Sequence, residues 1–224
     1  MPLQNRVDPF GEIHAVEWRG MFTGNRGVIH DPGTKTLLRR RWSTKAWIIC
    51  ACEYKGKWRQ VMGRNTRSGN AGWTELFFLD EVTALAAGHR PCFYCRREAA
   101  KEFVRCYGEA FGVTNPKVDE IDERLHAERL ASGTTLPSGP SSIDVGHAAL
   151  EALPDGAMVF QGDRCFAKHG EDLRAWTFWG YADAFDYFDL AMYDIRQLTP
   201  PTTLAVLKAG YRPVWHPTIG AKAG

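Results

Sequence analysis

The sequence predicts an α+β fold: a basic antiparallel sheet region, then helices, then a small β-rich C-terminal part. Three observations carry the prediction. Apolar residues run unbroken from Ala46 to Cys52 and from Leu76 to Leu79, both of strand length. Two later stretches, after Cys95 and after Lys117, repeat apolar residues at helical spacing. Short apolar runs between Ala157 and Trp179 are separated by glycine turns, as in a meander.

The elements follow in chain order. Residues 20–34 hold Gly20, Gly24, Gly27, Pro32 and Gly33 and read as loop. Trp47 to Tyr54 reads as a strand, Lys55-Gly56-Lys57 as its turn, and Trp58 to Met62 as the returning strand of a hairpin. Arg64 to Gly72 is a polar loop, and Thr74 to Leu79 another strand. Asp80 is placed to cap a short helix, Glu81 to Ala87, which Gly88 ends. A longer helix opens at Cys95 or Arg96 and runs to about Ala110, with Ala99, Phe103, Cys106 and Ala110 on one face. Lys117 to Leu130 follows, with Val118, Ile121 and Leu125 on one face.

Residues 1–130 thus form a basic α+β region, and residues 131–147, rich in Ser, Gly, Thr and Pro, a linker or loop. Residues 148–224 form the β-rich remainder, which can pack with the first part as one domain. Its strands are Ala157–Phe160, Cys165–Lys168 and Leu173–Trp179, with turns at Gly162 and Gly170. The aromatic, acidic stretch Asp183 to Tyr193 has no clear period. Thr199-Pro200-Pro201 starts a last helix that stops at Gly210. Its end, Ala209-Gly210-Tyr211-Arg212-Pro213, echoes Ala87-Gly88-His89-Arg90-Pro91, most simply as a shared helix stop.

Composition narrows the function. No run approaches the roughly 18 apolar residues of a membrane span. The N-terminus lacks an apolar signal core, which points to the cytoplasm. Six cysteines in 224 residues are too few for a disulfide scaffold and read as thiols or metal ligands. Net charge is only +2, but residues 1–107 hold 18 Lys/Arg against 10 Asp/Glu. Between Lys35 and Arg67 there are ten basic residues and one acid, Glu53. Such a block suits an anionic partner, most simply nucleic acid. A solvated basic face balanced by the acidic C-terminal half is the competing reading. Trp42, Trp47, Trp58 and Trp73 are interleaved with the block, so rings can stack on bases while cations meet phosphate. Apolar residues on a hairpin also serve a core, and Trp47 is expected to be buried.

Pro91-Cys92-Phe93-Tyr94-Cys95 carries the most specific chemistry. Two thiols three residues apart at a helix start, with Arg90, Arg96 and Arg97 beside them, favour the thiolate, the form that binds metal. Zn2+ is the ion such a pair prefers in a protein without electron-transfer features. Two buried cysteines packed as small apolar groups are the alternative. Phe77-Phe78, Ala84 to Gly88 and Arg90-Pro91-Cys92-x-x-Cys95 together resemble the metal-binding domain of Ada-type DNA repair methyltransferases and related small zinc modules. The likeness covers residues 76–95. It implies a strand and helix leading to Cys92 and Cys95 as the last two of four zinc thiolates. The family's first pair is Cys-x-x-x-Cys, just upstream. Here the upstream cysteines are Cys50 and Cys52, beyond an expected hairpin. Side chains at i and i+2 of a strand lie about 6–7 Å apart, whereas two ligands at about 2.3 Å on one zinc span at most about 4.6 Å. A regular strand therefore supplies one of the two, and Cys50 is the candidate third ligand. The methyl-accepting cysteine of the family belongs to the unmatched pair, so methyl transfer does not carry over.

Two further constellations compete. His126-x-Glu128 with Pro91-Cys92-x-x-Cys95 supplies the residue types of a zinc deaminase: His126, Cys92 and Cys95 as ligands and Glu128 as acid/base. The order is the reverse of the deaminase pattern, and both residues also fit a solvated helix face. His30-Asp31 before Arg39-Arg40-Arg41 suits a nuclease, with His30 activating water, although Asp31-Pro32-Gly33 also reads as turn chemistry. Glu75 is another acid near the knuckle.

The leading expectation is zinc-dependent nucleic-acid binding or processing of a DNA repair-like kind. Cys92 and Cys95 hold the metal, and Arg39, Arg40, Arg41, Lys55, Lys57 and Arg59 meet phosphate. The alternatives are a deaminase-type hydrolase of a nucleobase or small amine, and an interaction protein with structural zinc.

Overall fold

The computed structural model describes residues 1–56, 59–131, 147–185 and 195–220. Lys57, Trp58, most of the expected linker and most of the Asp183 to Tyr193 stretch lie outside the described residues. Both helices and sheets are present, as an α+β fold requires.

The first sheet is mixed rather than purely antiparallel. Its strands are β1 (Arg6–Val7), β2 (Ile13–His14), β3 (Phe22–Asn25), β6 (Ile48–Ala51), β7 (Leu76–Phe78) and β8 (Arg90–Pro91), in the order β2-β1-β7-β3-β6-β8. The β1–β7 and β6–β8 pairs are parallel. A small hairpin, β4 (His30–Asp31) with β5 (Thr36–Leu37), stands apart. The turn-rich stretch 20–34 therefore contains a central strand, β3, which composition reads as loop. Gly24 explains both facts. A Cβ there would lie 2.3 Å from the Ile48 carbonyl oxygen, so glycine is what lets β3 close on β6. Gly24→Ala is expected to cost about 1–3 kcal/mol, read as a lowered urea midpoint, because the strand must shift to admit one carbon.

The expected hairpin partner of β6 does not form among the described residues of 59–62. Glu75 takes over that segment: its carboxylate accepts from Arg59 Nε at 3.0 Å and from the Met62 N–H at 2.8 Å. β6 pairs instead with β3 and β8.

One face of this sheet carries Ile49, Leu76 and Phe78 into a core closed by helices. Those helices are α2 (Arg97–Phe111), α3 (Val118–Ala131) and α5 (Pro201–Lys208); α4 (His147–Glu151) precedes the second sheet. α2 buries Ala100, Phe103, Cys106 and Tyr107, a face rotated by about one residue from the expected one. α3 buries Ile121, Asp122, Leu125 and His126. Asp122 is there to receive Arg90, which donates from Nε and Nη2 at 2.7 Å each, a bidentate pair buried between β8 and α3.

α1 (Glu81–Ala86) is the hub. Asp80 caps it, accepting from the Thr83 N–H, and Gly88 leaves it at φ 79°. All six of its residues are buried, because it lies between two sheets. Ala84 and Leu85 join the first core, while Val82 and Ala86 face the second sheet. That sheet is antiparallel, ordered β12 (Gly180–Phe185), β11 (Asp172–Thr177), β10 (Arg164–His169), β9 (Met158–Gln161), β13 (Arg196–Gln197). Its alternation is plain: Met158, Phe160, Cys165 and Ala167 pack toward α1, and Val159, Phe166 and Leu173 pack the other way.

Polar groups fasten the same junction. The Asp80 carboxylate also accepts from Thr83 and Tyr181 hydroxyls at 2.8 Å each and from the His216 N–H at 3.0 Å. Burial raises the Asp80 pKa, opposed by these donors. The echoed segment closes the circuit: Gly210 sits at φ 103°, and beyond it the Val214 N–H donates to Glu81. The second copy thus ends in a brace on α1, without a strand like β8.

Candidate metal centre and its pocket

Strand alternation builds the site. If Ile49, Leu76 and Phe78 face the helices, their neighbours face the other way. Those neighbours include Ile48, Cys50, Thr23 and Phe77, and they floor a cavity of about 680 Å³. Among the described residues no helix lines this second face; Cys52, Tyr54, Arg59, Val61, Trp73 and Glu75 wall it.

The Cys-x-x-Cys turn is delivered to the edge of this floor by β8. Arg90 N–H donates to Trp47 O at 3.0 Å and Cys92 N–H to Ile49 O at 2.9 Å, which sets Cys92 beside Cys50. The turn precedes α2, whose first residue is Arg97, so the pair sits before the helix rather than within it. Backbone donors point at the sulfurs: Tyr94 N–H at Cys92 Sγ, 3.3 Å, and Ala51 N–H at Cys95 Sγ, 3.4 Å. Such bonds stabilise thiolate charge.

The Sγ atoms of Cys50, Cys92 and Cys95 all lie within 4.8 Å of one another. That is close to the roughly 4.6 Å two ligands can span on one zinc, so the trio can hold a metal ion. Protonation follows the same geometry. Hydrogen bonds from Cys50 and then Cys95 pull the Cys92 thiol far below its usual range. Its bond to Cys92, then that to Cys95, drives Cys50 far above. One negative charge is readily shared by the trio, whereas three require a cation among them. Cys52 lies past the end of β6, exposed, outside the trio but on the same cavity wall.

The arginines beside the pair are largely committed elsewhere. Arg90 is held by Asp122, and Arg96 donates to both Glu81 oxygens at 2.7 Å. Two others line the cavity. Arg19 is exposed and lies over the Phe77 ring at 4.4 Å, with no acidic partner among the described residues. Arg59 lies over Trp73 at 4.6 Å, paired to Glu75 through Nε, while its Nη2 is buried without a partner.

The other candidates are placed as follows. His126 is buried against Trp42, ring centroids 4.6 Å apart, and does not join the sulfur trio among the described residues. Burial and the nearby Arg129 and Lys45 cations lower its pKa. Glu128 accepts from the Thr202 N–H at 3.1 Å and from the Thr202 hydroxyl at 2.5 Å, capping α5 from outside. His30 is buried, with Nδ1 2.6 Å from Thr74 Oγ1. Its neighbour Asp31 is exposed and accepts the Thr34 and Gly33 N–H groups, which hold its pKa down. As adjacent residues of β4, the two point to opposite sides and form no dyad. Glu128 is taken up by Thr202, while one ring nitrogen each of His126 and His30 is buried without a hydrogen-bond partner among the described residues.

Arg39, Arg40 and Arg41 are exposed on the segment after β5. Arg40 Nε donates to Val28 O and Arg41 Nη1 to Leu38 O; none of the three arginines lines the cavity. Lys55 reaches over Tyr54 at 5.3 Å. Trp47 is buried between Arg26 and Arg129, their guanidiniums 4.1 and 4.2 Å from its rings, and so is core rather than a stacking surface. Sequence reasoning passed over Arg19, Tyr54 and Tyr94 as cavity residues. Tyr94 had a signal, its place inside the Cys-x-x-Cys turn; Arg19 had none.

No family model, curated protein or solved structure matches the chain.

Proposed function

We propose that the chain is a zinc protein that binds nucleic acid, with the metal held by Cys50, Cys92 and Cys95, and that its work is DNA repair-like. The observation that carries the reading is the sulfur trio in the wall of a cavity lined by aromatic rings and arginines, in a chain that also exposes an arginine run. A soft ion suits three thiolates, and zinc suits them without redox chemistry. Bound there, zinc would fasten β6 to the turn before α2. The chain's own part is to orient the thiolates through the Tyr94 and Ala51 N–H groups. Arg39, Arg40 and Arg41 supply phosphate contacts. The Ada-type likeness of residues 76–95 supports the same reading.

Retention of a labelled oligonucleotide by the full zinc-loaded chain tests it. Binding is expected at about 50 mM salt and should fall steeply by about 200 mM, as counterion release requires. Changing Arg39, Arg40 and Arg41 together to Ala should flatten the salt dependence by about two to three units of log–log slope. Absence of retention at about 50 mM salt would contradict the proposal.

A further inference from the structure

We infer that the cavity beside the sulfur trio receives one unpaired nucleotide, its base among the aromatic rings and its phosphate at Arg19. This rests on the nucleic-acid reading above and names what that surface holds. Size comes first. About 680 Å³ falls within the roughly 300–1,000 Å³ of small-ligand sites and suits a base with its sugar. A base pair inside a duplex is too large and too well stacked to enter, so the base must be single-stranded or extruded.

The lining selects a flat ring. Phe77 in the floor and Trp73 in the wall each carry a guanidinium, of Arg19 and Arg59, so the rings left for a base are Tyr54 and Tyr94, which meet edge to face at 5.1 Å. Tyr94 is 61% exposed on the cavity wall, so its ring is open to an incoming base. Stacking on such rings accepts any base, because each has a π-face.

Charge selects an anion. Arg19 has no acidic partner among the described residues, and Arg59 keeps a buried Nη2 donor free. The acid on the wall, Glu75, is fully engaged: its oxygens accept from Arg59, Asn65 and the Met62 N–H. Arg59 balances its charge, which leaves Arg19 as the cation for the phosphate. The base thus lies by Tyr54 and Tyr94 and the phosphate at Arg19.

Titration calorimetry on the zinc-loaded full chain tests the inference, with a nucleoside 5′-monophosphate, the matching nucleoside and inorganic phosphate as probes. The monophosphate should bind, and more tightly than either fragment. Tyr94→Ala and Arg19→Ala change exposed side chains; each should weaken the monophosphate and a short single strand by roughly tenfold, with zinc content unchanged. Single strand should be preferred to duplex.

Equal binding of inorganic phosphate and monophosphate overturns the inference, as does unchanged affinity in both variants. If the triple arginine change abolishes retention while the cavity variants leave it intact, the nucleic-acid reading survives and this inference does not. If the monophosphate binds but no polynucleotide is retained, the cavity assignment survives and the nucleic-acid reading does not. If neither binds, both fail.

Discussion

Cys92→Ser protein is expected to carry almost no zinc under conditions in which the unaltered chain carries about one ion. Cys92 is the sulfur whose pKa its neighbours Cys50 and Cys95 lower most, and it accepts the Tyr94 N–H. A serine hydroxyl does not ionise near neutral pH and is a poor ligand for a soft site. Changing groups that merely orient a ligand costs about 10–100-fold in metal affinity, so losing a ligand should cost more. Metal binding is also folding free energy. Zinc at 100 times its Kd should stabilise the unaltered chain by about 2.7 kcal/mol and the Cys92→Ser chain not at all. Without metal the two should melt alike. His126→Ala should leave zinc content untouched, since that ring packs on Trp42. Metal analysis with thermal melts in zinc and in chelator decides the matter. Full zinc content in Cys92→Ser would reject the site.

Glu81→Ala should give the largest loss of stability. The Glu81 side chain is 1% exposed and its partner Arg96 9%. Its oxygens accept from Arg96 twice at 2.7 Å, from the Tyr211 hydroxyl at 2.6 Å and from the Val214 N–H at 2.9 Å. Truncation leaves a buried guanidinium, a hydroxyl and an amide without their acceptor. Breaking a buried pair from one side costs about 3–5 kcal/mol, far above the roughly 0–1 kcal/mol of an exposed pair such as Glu98–Lys101. At about 2–4 °C per kcal/mol for a chain of this size, Tm should fall by roughly 6–20 °C. Glu81→Gln keeps acceptor and shape and should lose less. A Tm change below about 2 °C for Glu81→Ala would show that α1 is not the hub.

How far these features were legible follows from how local their causes are. The α1 cap at Asp80, the Gly88 stop and the meander turns at Gly162 and Gly170 depend on residues within a few positions, and they read directly from the chain. The Cys92–Cys95 pair reads from spacing, and strand geometry pointed to one upstream sulfur rather than two. β3 was hidden because Gly24, needed for close approach to Ile48, has the look of a turn residue. His126 and Glu128 looked like a motif because they are two apart, but their partners, Trp42 and Thr202, lie about 74 to 84 positions away. The cavity is assembled from separate strands and loops, and nothing local marks Arg19 as part of it.

The central claim is that Cys50, Cys92 and Cys95 share one zinc ion. Zinc K-edge X-ray absorption on the purified full chain addresses it most directly. The account predicts about one zinc per chain with a first shell dominated by sulfur, at least three atoms at about 2.3 Å. A first shell of nitrogen and oxygen alone, or a chain that takes up no zinc when it is supplied, would contradict it.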